Sequence, residues 1–431
     1  MRRPVRALAM SGASDDVVVV GGGVVGLACA HAIERRGMGV LVLDGSTTGS
    51  GASRGNTGWV VPSLSMPLAS PGMLATGLKS ALHPRGALVI RPALDASWLR
   101  WLWQFRRNCS PERFRRGVLA LVALNRTTLE QFDAYAADGI EFESHATGML
   151  IVARERSGLS SFNTLFEELV RAGFDGTMSE LDPARARELE PALSDAVGAA
   201  LHTTVDRYVQ PESLVAGLAA HLRSRGVVIR EHAPVDGLAR TANGWRMRLA
   251  GGDTVEAGNV VIAAGAATTA LLAPLGIRLP LIGAKGYSVD LRGEGEPPRT
   301  ALYLSEPKLG ISPFDGGVRI AGVFELPARS TSVSPRRIEH LIADALPYLR
   351  DWHPAPGEVR ADAGWAGLRP ATPDSLPLIG PIDGMPGLLV ASGHGMLGVT
   401  LAPATGRAIA EILMTGRVAE ELQPFRPSRS M

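Results

Sequence analysis

The segment that most constrains the fold of this chain is a run of four valines followed by three closely spaced glycines. The run, Val17–Val20, is too short for a helix and is bounded by glycine, which predicts a buried strand. Gly21, Gly23 and Gly26 follow with the spacing G-x-G-x-x-G, where the strand is expected to turn into a helix. In such a turn the first glycine permits the tight bend, the second lets backbone approach a pyrophosphate, and the third lets helix and strand pack closely.

The residues after the glycines complete a dinucleotide-binding unit. Leu27, Ala30 and Ile33 share one helical face, and the helix is expected to end at Gly37. A second apolar run then ends in Asp44. The helix N-terminus offers free N–H groups and partial positive charge to phosphates, and Asp44 can accept hydrogen bonds from a ribose. Because strand, helix, strand and acid occur in this order, we predict dinucleotide binding rather than a glycine-rich turn without a ligand.

Composition limits the class of protein. With 431 residues, 45% hydrophobic and 20% charged, the chain is long enough for two domains with sizeable cores. The net charge of +2 and the lack of a Lys/Arg block give no reason to expect nucleic acid as a partner. Cys29 and Cys109 are the two cysteines, which argues against a disulfide framework or a metal cluster and favours a reducing, cytoplasmic compartment.

Two stretches bear on membrane contact. Residues 1–16 contain three arginines but no adequate apolar core for a signal peptide, and we expect a disordered leader. No apolar run reaches transmembrane length. Residues 98–107 combine tryptophans with arginines, a pattern that fits peripheral contact at the inner face of a membrane or with an electron-acceptor partner. We favour the alternative, a partly buried helix whose arginines are solvated.

A loop dense in Gly, Ser and Thr follows Asp44. Its sequence, GSTTGSGASRGNTGWVVPS, is typical of a surface loop. Because it comes directly after the ribose-binding acid, its backbone N–H groups and Ser53 can approach the same pyrophosphate from the other side. We therefore predict a cofactor loop, in which Asn56 and Gly58 lead into Trp59, rather than a plain linker.

The strand that closes the nucleotide-binding sheet comes late in the sequence. Residues 260–266, an apolar run ending in small residues, lie more than 200 residues after the glycine turn, which implies a discontinuous domain. Residues 279–325 read as short strands and turns of an antiparallel sheet in a second domain. The expected boundaries are a leader (1–16), nucleotide-binding parts (17–90, 199–278 and 359–431), a mainly helical substrate region (91–198) and the antiparallel sheet of the substrate domain (279–358).

Six motifs together resemble one flavoprotein family. In order they are GGGVVG with Asp44, GASRGNTGWVVPS, KGYS, VIAAGA, GLRPATPDSLPLIG and GHGMLGVT, and they cover nearly the whole chain after Asp16. The chain resembles the D-amino-acid oxidase/glycine oxidase family, and within it the bacterial D-amino-acid dehydrogenase branch. The resemblance implies an α/β fold: a discontinuous Rossmann-like FAD-binding domain of glutathione-reductase type, with a second α+β substrate domain containing an antiparallel sheet.

The resemblance also implies FAD, held non-covalently because the N-terminal cofactor loop has Asn56 and no His or Cys. A helix N-terminus near Ala402 would stabilise negative charge on the reduced ring. The resulting set of expected FAD-binding residues is Gly21, Gly22, Gly23, Val24, Val25, Gly26, Asp44, Gly51, Ser53, Arg54, Gly55, Asn56, Gly58, Trp59, Val235, Ala264, Gly265, Gly393, His394, Gly395, Met396, Gly398 and Thr400.

Three residues are expected at the substrate. Arg369 matches the family arginine that binds the substrate carboxylate, and a planar guanidinium can do so with two parallel hydrogen bonds. Its alternative is a structural pair with Asp362 or Asp374. Tyr287 could bind the same carboxylate or pack across strands. His394 could contact the flavin or the substrate, or make a local hydrogen bond in its loop.

The implied reaction is oxidative deamination. Once the amine is neutral, hydride passes from Cα to flavin N5, and the imine hydrolyses to an oxo acid. A D-amino acid is the leading substrate class, and a secondary or N-methyl amino acid (D-proline, hydroxy-D-proline, sarcosine) or glycine is the alternative. An electron-transferring flavin subunit of a larger complex is a further alternative. Oxygen, a quinone and a carrier protein remain open as electron acceptors, and several oligomeric states fit the sequence.

Overall fold

The computed structural model describes residues 17–429 apart from 76, 78–85, 92, 94, 361 and 362. The expected leader and Asp362 therefore lie outside the described residues. In chain order the strands are β1 (Val17–Val20), β2 (Val40–Leu43), β3 (Trp59–Val60), β4 (Leu88–Ile90), β5 (Ser144–His145), β6 (Met149–Ala153), β7 (Met178–Leu181), β8 (Ala199–Thr203), β9 (Arg207–Val209), β10 (Val228–Arg230), β11 (Val235–Thr241), β12 (Gly244–Leu249), β13 (Thr254–Ala257), β14 (Asn259–Ile262), β15 (Ile282–Leu291), β16 (Gly293–Glu294), β17 (Ala301–Leu304), β18 (Leu309–Phe314), β19 (Gly317–Leu326), β20 (His353–Pro354), β21 (Gly364–Ala371), β22 (Leu378–Pro381) and β23 (Leu388–Ser392).

The helices connect and cover these strands. The α-helices are α1 (Val24–Glu34), α2 (Ala96–Asn108), α3 (Pro111–Asn125), α4 (Thr128–Ala137), α5 (Ser160–Arg171), α6 (Pro183–Leu189), α7 (Pro211–Ser224), α8 (Thr268–Leu272), α9 (Pro335–Ala345) and α10 (Gly398–Thr415). Short 3₁₀ helices span Pro62–Leu64, Arg156–Leu159, Gly265–Ala267, Ala273–Leu275, Leu346–Tyr348 and Glu420–Phe425.

The first sheet is the predicted nucleotide-binding sheet. Its order in the described part of the chain is β10-β2-β1-β14-β23-β22, with every pair parallel except β22 with β23. Val17 and Val19 pack on the core beneath α1, α7 and α10, whereas Val18 and Val20 pack on the core beneath the β11–β13 meander. Both faces of β1 are thus buried, which explains its uninterrupted valines. This arrangement confirms the discontinuous Rossmann-like domain.

The second sheet joins distant parts of the chain. Its nine described strands follow the order β21-β15-β19-β18-β17-β6-β8-β7, with β4 beside β19. Neighbours are antiparallel except β17 with β6 and β19 with β4. Its apolar face packs on α9, which contributes Ile338, Leu341 and Ile342 to the core. The α+β second domain is therefore present, although its sheet is mixed rather than purely antiparallel.

Three strands depart from the expected domain boundaries. We assigned the ranges containing β4, β8 and β21 to the nucleotide-binding domain, but all three strands lie in the second sheet. The sequence analysis did not identify these three strands, and the partner of a strand depends on long-range pairing that a run of residues does not specify. The assignment of β21 matters most, because this strand carries Arg369.

Two helical predictions also need correction. The sequence over 119–137 predicts one helix, but the structure has two in this region, α3 and α4, separated at Arg126 and Thr127. The final helix begins at Gly398 rather than near Pro403, because the proline inside it removes a single N–H donor and does not end the helix. The positive end of α10 therefore lies directly beside the loop that precedes it.

Candidate active site

The glycine turn after β1 has almost no space for side chains. Gly21 has a φ of +115°, and a Cβ there would lie 2.4 Å from the carbonyl oxygen of Ala263. A Cβ on Gly26 would lie 1.8 Å from the carbonyl oxygen of Gly21. Both contacts are to backbone, so neither can be relieved by moving a side chain. The turn is consequently held tightly against β14 and the start of α1.

The N-terminus of α1 faces this turn and has no cap from the side chain of the residue that precedes it. Gly23 precedes the helix and has no side chain to cap it, and the first turn contains no acidic residue. Ser53, from the predicted cofactor loop, accepts a hydrogen bond from the Val24 N–H at 3.0 Å. The loop therefore reaches the helix N-terminus as expected, where N–H groups and the helix dipole favour a phosphate.

Asp44 lies at the end of β2, next to the glycine turn. Its carboxylate accepts hydrogen bonds from the Gly22 N–H at 2.6 Å and the Ser46 N–H at 2.8 Å. Its carbonyl oxygen accepts one from the Ala233 N–H at 2.8 Å, which brings the start of β11, with Val235, to the same edge of the sheet. Asp44, expected at the ribose, and Val235, which the family resemblance implies at the adenine, thus lie along the same edge.

An ion cluster around the buried Arg319 anchors the cofactor loop. Arg319, only 3% exposed, donates to the carbonyl oxygen of Asn56 at 2.7 Å and pairs with Glu212 and Asp290. Glu212 also accepts from the Gly55 N–H at 3.0 Å. Asn56 closes a turn through the Gly58 N–H at 2.7 Å. Gly51 and Arg54, also expected to bind the cofactor, are exposed at the outer part of the loop.

The second end of the expected FAD site is formed by the loop before α10. Thr400 donates to the carbonyl oxygen of Trp59 at 2.9 Å, which links α10 to the end of the cofactor loop. The Trp59 indole points into the second domain, where it donates to Ser312 at 2.9 Å. Gly393 and Gly395 have φ values of +79° and +56°. The remaining residues expected to bind FAD are Ala264 and Gly265, which come after β14, Met396 in the loop (53% exposed) and Gly398 at the start of α10.

Arg369 carries an almost uncompensated charge. It lies on β21, and its Nη1 donates to the carbonyl oxygen of Val323 at 3.0 Å. Burial lowers the pKa of Arg369 to about 10, and no opposing charge offsets this effect. Asp374 pairs with Arg429 instead, at 2.7 Å. Among the described residues, therefore, the guanidinium has no carboxylate partner. An arginine still stays protonated at neutral pH, so this site favours an anionic ligand.

The sheet provides a fitted surface for this guanidinium. It lies over Gly286 of β15, with its Cζ 5.7 Å from the centroid of the Phe324 ring. Val323, whose carbonyl it contacts, has a φ of +66°. This conformation is rare for a β-branched residue and costs about 1–3 kcal/mol. Strain of this kind is common at ligand-binding positions.

We predict that Gly286→Ala weakens carboxylate binding while the fold persists. The new Cβ would lie 2.0 Å from Nη1 of Arg369, and a flexible side chain must move rather than backbone. Displacement by about 1 Å can cost on the order of a hundredfold in activity. Substrate KM and the melting temperature test this, with Gly316→Ala, which meets no atom within 4 Å, as the matched control. An unchanged KM in Gly286→Ala would refute the placement of Arg369.

Tyr287 lies on the opposite face of the sheet from Arg369. Arg369 pairs with Ala284 across β15 and β21, so Tyr287 projects the other way. Its hydroxyl donates to Glu325 at 3.2 Å, and its side chain is 1% exposed. The expectation that Tyr287 binds the same carboxylate as Arg369 is therefore corrected: the register of β15 directs this phenol into the core of the second domain.

His394 also turns away from the predicted ligand. Its Nε2 lies 2.9 Å from the Thr405 hydroxyl within α10, and the residue is 4% exposed. Burial lowers the pKa of His394 to about 3, so the imidazole is neutral at physiological pH. Its backbone pairs with Ala371, and Gly395 N–H donates to the Pro370 carbonyl at 2.9 Å. The structure thus supports the local hydrogen bond and places the loop against the end of β21.

Trp365 is a site residue that the sequence analysis missed. It alternates with Gly367 and Arg369 along β21, so all three lie on one face. A Cβ on Gly55 would lie 2.3 Å from its ring, and one on Gly367 would lie 2.1 Å away. The indole therefore bridges the cofactor loop and the strand that carries Arg369. The alternating pattern W-x-G-x-R contains this signal.

The helix α2 covers the end of the strand that carries Arg369. Trp98 and Trp101 are each 3% exposed and stack with their ring centroids 5.6 Å apart. They pack on Ala284, Leu326 and Ala371, and the Trp101 indole donates to the Ala371 carbonyl at 3.2 Å. The partly buried helix that we favoured is therefore present. No helix in the described ranges combines the length and apolar character needed to cross a bilayer.

The described residues fit FAD. A cradle without side chains at Gly21 and Gly26, a helix N-terminus that begins after a glycine and a carboxylate at the next strand end are what a dinucleotide requires. A model of the family "FAD dependent oxidoreductase" matches residues 16–412.

The chain belongs to this FAD-dependent oxidoreductase family.

The chain is also similar to enzymes of named activity. The chain is 33% identical over 408 residues to a D-amino acid dehydrogenase of Xanthobacter autotrophicus, covering 92% of this chain and 94% of the relative. It is also 33% identical over 424 residues to a D-amino acid dehydrogenase of Methylobacterium nodulans, covering 94% and 96%.

Solved structures confirm the fold of this flavoenzyme. Glycine oxidase from Geobacillus kaustophilus has a TM-score of 0.72 and 25% identity, with 96% of this chain and 99% of that chain covered. Iminodiacetate oxidase from Chelativorans sp. has a TM-score of 0.73 and 20% identity, covering 95% and 98%. Together with the family match, this likeness shows that FAD is the cofactor of this enzyme.

Proposed function

We propose that this flavoenzyme oxidises D-amino acids to imino acids, which hydrolyse to oxo acids. The observation that carries the proposal is the part-buried Arg369 guanidinium, which lies against the sheet over Gly286 and lacks a carboxylate partner among the described residues. A substrate carboxylate would supply that missing charge through a bidentate contact. The relatives named D-amino acid dehydrogenase favour the D-configured class.

The roles of the side chains follow from their positions. Arg369 binds and orients the carboxylate, which fixes the Cα–H direction of the substrate. The stacked Trp98 and Trp101 cover the far end of that face and keep water from the guanidinium. FAD, when bound, would accept the hydride from Cα, and with it both electrons of the oxidation, at N5. The amine releases one proton, and water attacks the resulting imine to give the oxo acid and ammonia.

Anaerobic mixing of the holoenzyme with an amino-acid panel tests the substrate class. We expect D-alanine to bleach the flavin absorbance, and L-alanine to leave it unchanged. Bleaching by sarcosine, glycine or D-proline alone would replace the proposal with the secondary-amine alternative, which the likeness to a glycine oxidase supports. Absence of bleaching with every compound would favour an electron-transferring flavin subunit.

The same proposal includes non-covalent FAD. The cofactor loop over residues 45–61 contains neither His nor Cys, and His394 is engaged with Thr405. Acid precipitation should therefore release all flavin into the supernatant. Flavin that stays with the precipitated chain would contradict this part of the proposal.

We also propose that the enzyme makes a peripheral contact with an anionic bilayer. On α2 the outward face carries Leu99 and Trp103, which are 54% and 55% exposed, and Arg107 lies 4.6 Å over the Trp103 ring. Arg100 and Arg106 are exposed on the same side. A helix with exposed apolar and basic residues on one face is typical of interfacial binding. Such a contact would bring the enzyme to a membrane-dissolved quinone as electron acceptor.

Vesicle sedimentation tests this contact. The enzyme should sediment with phosphatidylcholine vesicles containing phosphatidylglycerol and stay in solution with phosphatidylcholine alone, because arginines attract anionic headgroups. The variant Trp103→Ser/Arg106→Gln/Arg107→Gln should remain in solution. The control Arg246→Gln/Arg248→Gln removes two exposed charges from β12 and should sediment normally. Equal binding of both variants would rule out α2 as the contact.

A further inference from the structure

The contact that orients Arg369 comes from a β-bulge. Along β19 the register against β15 shifts, so that Lys285 pairs with Glu325 while Tyr287 pairs with Gly322. The extra residue lies in β19, and Val323 within it adopts a φ of +66°. A bulge of this kind re-aims the backbone groups of its strand. Here the Val323 carbonyl accepts the hydrogen bond of Arg369 at 3.0 Å.

A buried carboxylate holds the other side of this bulge. Glu325, 2% exposed, accepts hydrogen bonds from Arg91 Nε at 2.6 Å and from the Tyr287 hydroxyl at 3.2 Å. Lys285 Nζ lies 3.6 Å from the same carboxylate and donates to the Ser332 carbonyl. Burial by itself would raise the pKa of Glu325, but the contacts with Arg91, Lys285 and Tyr287 lower it, so the group stays ionised.

These side chains belong to the strands on both sides of the bulge. Lys285 and Tyr287 come from β15, and Arg91 follows β4, which pairs with β19 at Phe324–Leu326. The Phe324 N–H also donates to the Ala87 carbonyl at 2.7 Å. Glu325 therefore ties the bulged segment to both neighbours, two residues from the carbonyl that contacts Arg369. The sheet itself separates the cluster from the guanidinium.

We propose that Glu325 is a positioning residue for substrate binding: it fixes the Val323 bulge, and through the Val323 carbonyl it sets the orientation of Arg369. The inference rests on the carboxylate-binding role proposed for Arg369. Glu325 does not touch the substrate, and its partners Lys285 and Tyr287 act from the reverse side of the sheet. This gives a function to two residues of the KGYS motif that the site itself does not use.

Glu190 offers a matched control for a purely structural role. It is 0% exposed in the second domain and accepts hydrogen bonds from the backbone N–H groups of Arg299, Thr300 and Ala192. Like Glu325 it is a buried carboxylate with several donors. Unlike Glu325 it has no link to Val323 or Arg369. Substitution of either residue leaves donors unpaired, so both variants should lose stability.

The test compares Glu325→Gln with Glu190→Gln in the holoenzyme. In Glu325→Gln we expect a rise of about tenfold in the amino-acid KM and in the dissociation constant of propionate, read from the flavin spectrum, with kcat changed less than about twofold. In Glu190→Gln the melting temperature should fall by a comparable amount, but the amino-acid KM and the dissociation constant of propionate should stay unchanged. If Glu325→Gln also keeps both constants, Glu325 is structural and the inference fails.

Two further variants keep the test decisive if Glu325→Gln does not fold. Arg91→Met alters an exposed side chain and should raise KM in the same direction by a smaller factor. In an Arg369→Leu background, Arg91→Met should add nothing, because both act through one contact. An additive effect would overturn the inference about Glu325 but leave the proposed role of Arg369 intact. If Arg369→Leu itself leaves propionate binding unchanged, the proposed function fails first.

Discussion

Arg369→Leu is expected to weaken binding of amino-acid carboxylates by about 2–5 kcal/mol, because the substrate charge then enters a desolvated site without its partner. This corresponds to a rise of about 30- to 5,000-fold in the dissociation constant. Rapid-mixing measurement of flavin reduction against substrate concentration gives that constant directly. Unchanged affinity and reduction rate would show that Arg369 has been misassigned.

The stability of the same variant separates a binding arginine from a structural one. In the ligand-free enzyme the Arg369 charge is partly buried, and the described groups that face it are the Val323 carbonyl and the Phe324 ring rather than a carboxylate. Leucine removes that desolvation cost, so the melting temperature should stay the same or rise while substrate binding is lost. If Arg369 were a structural arginine, its replacement would instead lower the stability of the protein. A marked fall in melting temperature would therefore contradict a ligand-binding role.

Gly26→Ala is expected to remove most of the FAD. The new Cβ would lie 1.8 Å from the Gly21 carbonyl oxygen, so the start of α1 must separate from the glycine turn. Such overpacking costs about 1–3 kcal/mol, which corresponds to about 5- to 150-fold weaker binding if it falls on the cofactor site. The flavin-to-protein absorbance ratio after gel filtration measures the effect.

Gly251→Ala is the matched control for this variant. Gly251 lies in the turn between β12 and β13, and a Cβ there meets no atom within 4 Å. We expect it to purify with full flavin content. Equal flavin content in Gly26→Ala and Gly251→Ala would mean that the glycine turn does not hold the dinucleotide.

The nucleotide-binding half could be predicted because its signal is local. The glycine spacing, the apolar runs around it and Asp44 lie within 28 residues, and each element follows from its own residues. The structure keeps that order, with β1 between β2 and β14. Local sequence is informative here because strand, turn and helix are neighbours both along the chain and in space.

The substrate half depends on pairing between distant strands. Arg369 and Tyr287 come from strands that pair across about 80 residues, and only their register shows that they occupy opposite faces. Val323 carries no signal at all, because a β-branched residue is among the least expected at a positive φ. Trp365, in contrast, could have been found from its alternation with Arg369.

The most direct test of the account is a crystal structure of the enzyme with FAD and propionate, a carboxylate that has no amine to oxidise. We predict that the propionate carboxylate lies within about 2.7–3.2 Å of the Arg369 guanidinium nitrogens, on the face of β21 shared with Trp365 and opposite Tyr287. A carboxylate bound elsewhere, with the Arg369 guanidinium still on Gly286 and without a ligand, would contradict the central claim.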